Sequence, residues 1–250
     1  KDIVFIVCGS STAWMVKKII KNKGGLHNRL THRIALKPFS LQLCEEMMKS
    51  RGITLTRKQI LEGYMVFGGV PYYWSLLSRG ASITQEINRL IFSDDGDLYD
   101  EFEMLYASLF KKPEPYIKVI KLLAKKKMGM TRQELITEGK LEDNGALTDI
   151  LKDLEWCGFI RGYSMLGKRV KHEVYQLIDH YTLFYYEFIH EQRHGSNFWQ
   201  AMQGKPAYNT WCGLAFERVC LWHIEQIKTK LGISGILTNE YAWHCKADKD

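Results

Sequence analysis

Side chains able to handle phosphate, water or a metal ion are thinly spread along this 250-residue chain. Ser10 and Ser11 follow the apolar run Ile3 to Val7 through Cys8 and Gly9. In open α/β sheets ligands sit at the carboxyl ends of strands, which is where Ser10 and Ser11 fall. The same residues also make an ordinary capping turn for a following helix. Arg29 stands after that helix. On its own it reads as a solvated loop residue. Gly69-Val70-Pro71 is a glycine-ended helix followed by proline at the first turn of the next. Glu217 is a lone helix carboxylate. Lys168, Arg169 and Lys171 form a basic tip between two short strands, suited to phosphates.

What is missing bounds the chemistry. No G-x-x-x-x-G-K-[ST] occurs: Gly139-Lys140, Gly167-Lys168 and Gly204-Lys205 are followed by Leu141, Arg169 and Pro206. The chain itself therefore carries no backbone cradle for phosphates and no hydroxyl for Mg²⁺. The six cysteines are scattered with no C-x-x-C pair. Cys220, His223, His244 and Cys245 match no standard zinc spacing, so no metal site is expected. They read as reduced thiols of a cytoplasmic protein. Hydrophobic residues at 46% and charged residues at 25% fit an ordinary globular protein. A net charge of +7 permits a nucleic-acid or acidic-protein partner without requiring one. No apolar run approaches the ~18 residues of a membrane span, so no membrane partner is expected.

The elements that position these residues are predominantly helical. The β-branched run Ile3 to Val7 predicts a central parallel strand buried on both faces. Arg33 to Phe39 predicts a second strand, stopped at Pro38. Helices are expected over Leu41 to Arg51, from the Thr56–Gln59 capping box to Phe67, over Tyr72 to Leu77, from the Ser82–Gln85 box towards Phe92, and near Leu98 to Phe110. Lys111-Lys112-Pro113-Glu114-Pro115 is the clearest linker. Beyond it come a helix from Tyr116, a helix from the Thr131–Glu134 box ended by Gly139, and a third after Asp143-Asn144. That third helix has a Leu147, Ile150, Leu151, Leu154 stripe. Strands at Ile160 to Leu166 and Glu173 to Ile178 follow, then an aromatic helix from Asp179. This order is that of a winged helix-turn-helix. Ala207 to Leu231 predicts one long helix, apolar on several faces and covered by a neighbouring layer. Strand material is expected at Ile236-Leu237 and Tyr241 to Cys245. Both ends of the chain read as cuts through a longer protein.

The third helix carries Asp143, Asp149, Lys152, Asp153 and Glu155. An acidic surface is repelled by phosphates, so no base readout is expected from it. Contact with DNA is confined to the backbone, through Lys168, Arg169 and Lys171.

Taken in order, Phe5 to Ser11, Arg29, Leu36-Lys-Pro-Phe39, Gly68-Gly-Val-Pro-Tyr-Tyr73, Tyr175 to Asp179 and Phe184 to Phe188 resemble the archaeal-type P-loop ATPases of the AAA/STAND-like group. Gly213 to Glu217 resembles the start of their C-terminal PD-(D/E)XK nuclease-like domain. The resemblance implies a mostly α protein with α/β fragments. Residues 1–40 would be the end of the ATPase core from the sensor-1 strand, 41–112 a helical lid, 113–194 the winged helix and 195–250 the start of the nuclease-like domain. It implies that Ser10 and Ser11 are sensor residues, Arg29 an arginine finger acting within or between subunits of a self-associating protein, and Gly69 and Pro71 the adenine-packing motif. Glu217 would be the first nuclease carboxylate. ATP and Mg²⁺ are expected in the full-length protein only. Without Walker A and Walker B this chain alone is expected to be inactive. The alternatives from other classes are a winged-helix DNA-binding regulator and a metal-dependent nuclease.

Overall fold

The computed structural model describes residues 34–164, 173–192, 194–195 and 197–238, together with 3–4, 6–9, 15 and 31–32. It is mostly helical, with a small three-stranded antiparallel sheet. Contacts gather the described chain into two compact units, one of Glu103–Ile178 and one of Leu36–Phe102 with Asp179–Glu240. Segments drawn in chain order and units drawn by contact are different divisions. The aromatic helix after Asp179 shares a core with residues 36–102.

In the unit built from 36–102 and 179–240, helices start where side chains satisfy free backbone amides. Ser40 caps α1 (Leu41–Ser50). In the Thr56–Gln59 box, Thr56 Oγ1 accepts from the Gln59 amide at 3.2 Å and Gln59 Oε1 from the Thr56 amide at 2.9 Å, opening α2 (Arg57–Phe67). Pro71 sits in the first turn of α3 (Pro71–Ser75). Ser82 and Gln85 box the start of α4 (Ile83–Ile87), which runs on as a π-helical turn, Asn88–Phe92. That turn buries Asn88, whose Oδ1 accepts from the Trp199 amide at 2.8 Å. Helix α5 (Glu101–Leu109) begins here and crosses the boundary between the units.

Helix α2 lies at the centre of this unit, buried continuously from Gly63 to Phe67. It packs on α9 (His180–Phe188) and α11 (Pro206–Trp222). Phe184, Phe188, Trp199 and Trp211 form an aromatic knot joining α9, α11 and the short α10 (Phe198–Met202). Its ring centroids lie between 4.9 and 5.6 Å apart.

The other unit holds α6 (Glu114–Lys125), β1 (Met130–Thr131), α7 (Arg132–Gly139), α8 (Gly145–Trp156), β2 (Ile160–Ser164) and β3 (Glu173–Leu177). The sheet order is β1-β3-β2. Met130 lies opposite Tyr175, and Ile160 opposite Leu177. Asn144 caps α8, whose Leu147, Leu151 and Leu154 are buried as their spacing requires.

Several expectations are corrected. Residues 3–4 and 6–9 are not in a strand, and Ile3, Val4, Ile6 and Val7 are exposed. Residues 34–40 are likewise irregular. A parallel strand exists only by pairing, and no described strand lies beside either stretch. Helix α7 ends at Gly139 as its sequence predicts, although the left-handed turn is made by the next residue, Lys140, at φ 47°; a Cβ on Gly139 would come within 2.6 Å of Leu122 Cδ1. The long helix is two, α11 and α12 (Ile224–Lys230), broken at His223. It buries one stripe, Trp211, Ala215, Arg218 and Val219, while Phe216, Trp222, Ile227 and Leu231 stay exposed. Ile236 and Leu237 are exposed and not in a strand; residues 241–245 lie outside the described residues.

Candidate functional site

The corner after α2 holds the one sequence-assigned binding motif that is described in full. Gly68 turns the chain at φ 59°, and its carbonyl accepts from Trp74 Nε1 at 2.8 Å. The Gly69 carbonyl accepts from the Phe39 amide at 2.7 Å, and the Phe39 carbonyl accepts from Tyr64 Oη at 2.7 Å. A Cβ on Gly69 would lie 2.0 Å from the Phe39 oxygen. Leu36-Lys-Pro-Phe39 and Gly68 to Tyr73 are therefore one locked corner. Gly69 is glycine because a backbone crosses it, which is a packing role and no cradle for a ligand. Pro71 is exposed, and Tyr72 beside it is 54% exposed. Both present ring surface to solvent, against which a planar ring can pack. As a fit to ATP, the corner supplies the ring edge at Pro71 and Tyr72, and its glycine is already occupied.

Beneath the corner, Tyr73 is buried and its hydroxyl donates to Glu101 Oε1 at 2.7 Å. Asp179 Oδ2 accepts from the Thr182 amide at 2.8 Å, capping α9. Tyr181 stacks at an angle on Tyr73, centroids 5.5 Å apart, and donates to the Leu98 carbonyl. Burial pushes the Glu101 carboxyl up, the Tyr73 hydroxyl pulls it back, and the Asp179 charge adds to the rise. Burial also raises Asp179 against its bonds to Thr182. Burial drives Tyr73 far above the usual phenol range.

A carboxyl whose pKa is raised on folding favours the protonated chain in the folded state. Stability is then lost as pH rises from the unfolded value through the folded one. Glu101→Gln keeps an acceptor for Tyr73 and removes the charge. It is expected to be more stable than the parent in urea unfolding near neutrality. The advantage should fade below about pH 4, where glutamate is protonated in both states. An advantage independent of pH would sink the assignment.

The remaining sequence-assigned residues are not brought together. Ser10, Ser11, Arg29, Lys168, Arg169 and Lys171 lie outside the described residues. Glu217 is exposed on α11. Its neighbour Arg218 is the buried one, 5% exposed, and it went unnoticed in the sequence. The signal was present: Trp211, Ala215, Arg218 and Val219 recur at helical spacing, so Arg218 shares the stripe that faces the core. His180 was also missed, and His223 was weighed only as a zinc ligand. Their rings meet Tyr64 edge-on at 5.4 and 5.1 Å. His223 Nδ1 lies 2.8 Å from the Val219 carbonyl, and Nε2 accepts from the Leu41 amide at 2.9 Å. The ring is thus the neutral Nδ1–H tautomer.

The third-helix surface also needs correction. Asp153 is buried and accepts from Tyr116 Oη at 2.9 Å. It belongs to the core, so the exposed part of α8 is less acidic than its composition. Asp143 is paired with Arg132 at 2.8 Å, and Glu155 Oε1 accepts from the Gly162 amide at 3.1 Å.

Among the described residues, no three His, Cys, Asp or Glu side chains are grouped to hold a metal ion. None of the described helices is long and apolar enough to cross a membrane. Fold and geometry define a helical protein with a small antiparallel sheet and a proline–tyrosine edge on a locked corner. Comparison with protein-family models, curated proteins and solved structures returns no match.

Proposed function

We propose that the chain is the C-terminal portion of a P-loop ATPase of the archaeal AAA/STAND-like type, in which residues 41–112 act as the nucleotide lid. The observation that carries this reading is the corner where Phe39, Tyr64, Gly69 and Trp74 interlock and leave Pro71 and Tyr72 exposed. It presents a ring-stacking edge on a rigid support. The lid helix α2 shares its core with α9 and α11. A lid that closes on nucleotide would therefore carry residues 179–230 with it, coupling nucleotide state to the segment that follows. The element order of residues 114–177 supports the winged-helix reading of that stretch, and the start of a nuclease-like domain after residue 195 is retained within the same proposal.

The test uses the longer polypeptide that on this reading contains a Walker A before Lys1. It is expected to hydrolyse Mg-ATP, and Pro71→Ala with Tyr72→Ala is expected to raise the KM several-fold with the fold intact. The 250-residue chain alone is expected to show no tight Mg-ATP binding by calorimetry. Absence of turnover in the longer polypeptide, or an unchanged KM in the double variant, rejects the lid assignment.

A further inference from the structure

A cavity in the unit built from 36–102 and 179–240 is lined by none of the residues the sequence assigned. It has a volume of about 520 Å³ and is lined by Arg51, Ile53, Ser75, Leu76, Leu77, Ser78 and Arg79. Both arginines are held in place. Arg51 Nη1 donates to the Trp74 carbonyl at 2.9 Å, and Arg79 Nε donates to the Arg51 carbonyl at 2.9 Å. The Arg79 guanidinium lies against Gly52, where a Cβ would meet it at 3.0 to 3.3 Å. Each capping bond uses one of the five N–H groups of a guanidinium, so most of each fork remains available.

Neither arginine is paired with a carboxylate among the described residues. The acid that adjoins the cavity is already engaged: Glu86 is 3% exposed, pairs with Arg89 at 2.6 Å and accepts from the Ser78 amide at 3.1 Å. Arg89 in turn donates to the Leu76 carbonyl at 2.8 Å. The buried negative charge beside the cavity is thus neutralised, and two fixed positive charges face the opening. Ile53, Leu76 and Leu77 supply apolar wall beside them.

We propose that this cleft binds the phosphate group of a small molecule. Guanidinium forks match phosphate geometry bidentately. Forks anchored by backbone carbonyls lose little freedom on binding. The Ser78 hydroxyl adds a donor, and the apolar wall favours a phosphomonoester with an organic body over the free ion. The inference is independent of the nucleotide-lid reading, because its probes contain no nucleotide and its readout is the cleft itself.

Amide resonances of the folded chain are followed by nuclear magnetic resonance during titration with inorganic phosphate, phenyl phosphate and, for ionic strength, chloride. Saturable shifts are expected at residues 51–53 and 75–79 with both phosphates and not with chloride. Phenyl phosphate binding more tightly identifies an organic monoester as the ligand, and equal affinities identify the free ion. Arg79→Gln is expected to weaken binding about tenfold, the loss of a charge-assisted bond, and Lys58→Gln to leave it unchanged. Arg51→Gln, which also uncaps α3, serves as the second variant. Absence of saturable shifts, shifts centred elsewhere, or the parent's affinity in both folded arginine variants would overturn the proposal.

Discussion

Gly69→Ala is expected to destabilise the unit built from 36–102 and 179–240 by about 3 kcal/mol, the upper end of overpacking costs. The reason is that nothing at the clash can yield cheaply. A Cβ on Gly69 lies 2.0 Å from the Phe39 oxygen, 2.6 Å from its nitrogen and 2.8 Å from its carbonyl carbon, all backbone atoms. Moving Phe39 away breaks the hydrogen bond its amide donates to the Gly69 carbonyl and the one its carbonyl accepts from the Tyr64 hydroxyl. That leaves the Tyr64 O–H donor without its acceptor in a residue with no exposed surface, and a buried unpaired donor costs about 1–3 kcal/mol by itself. Gly213→Ala is the matched control. Gly213 lies inside α11 with nothing within 4 Å of its Cβ position. That change is expected to raise stability by about 0.5–1 kcal/mol through helix propensity. Urea unfolding of both variants reads the contrast. If Gly69→Ala falls within about 1 kcal/mol of the parent, a typical single-substitution effect, the locked corner is not the constraint described.

The features legible in the sequence are those decided within one turn of chain. Thr56 with Gln59, Ser82 with Gln85 and Thr131 with Glu134 all form the boxes their spacing predicts. Asn144 and Asp179 cap as expected, and the Leu147 stripe faces inward. What failed depends on partners far along the chain. His223 breaks the long helix because its ring caps the Leu41 amide, 182 residues away. Asp153 leaves the solvent face because Tyr116 waits for it in the core. Gly139 does end its helix, but for a reason no local pattern reports: Leu122 needs the space a Cβ would fill, and Lys140 makes the left-handed turn. The apolar run at Ile3 was read correctly as apolar, but a strand is a property of a pair. In the site the same division holds. Gly69 and Pro71 were visible as local signals, whereas the reason for Gly69 is a Phe39 backbone that no periodicity reports. The Arg51–Arg79 cleft was invisible for the same cause, since two ordinary arginines become a cavity wall only through the packing of α1 and α3.

Titration of His180 is expected to take roughly 3 kcal/mol from the same helical unit as the pH falls from about 6.5 to about 4. His180 is buried at the start of α9, edge-on to Tyr64. Burial pushes its pKa down from 6.5 to about 4; the Arg218 charge and His223 push the same way, and a bond to the Met65 backbone opposes them. A base whose folded pKa is depressed gives stability that is fully present above its unfolded pKa. That stability is lost as pH falls towards the folded value. A shift of about 2.5 units at 1.36 kcal/mol each sets the size. The carboxyls nearby act in the opposite sense: Glu101 and Asp179 are both raised, so protonating them in this range favours the folded chain. Acid lability over this window therefore cannot come from them, and any measured value is a net of the two effects. His180→Gln retains an N–H donor for the Met65 carbonyl and cannot titrate. Its unfolding free energy should change far less between about pH 6.5 and about pH 4, with some stability already lost at neutrality through imperfect packing around Tyr64. Equal slopes in the variant and the parent would move the acid-sensitive group away from His180.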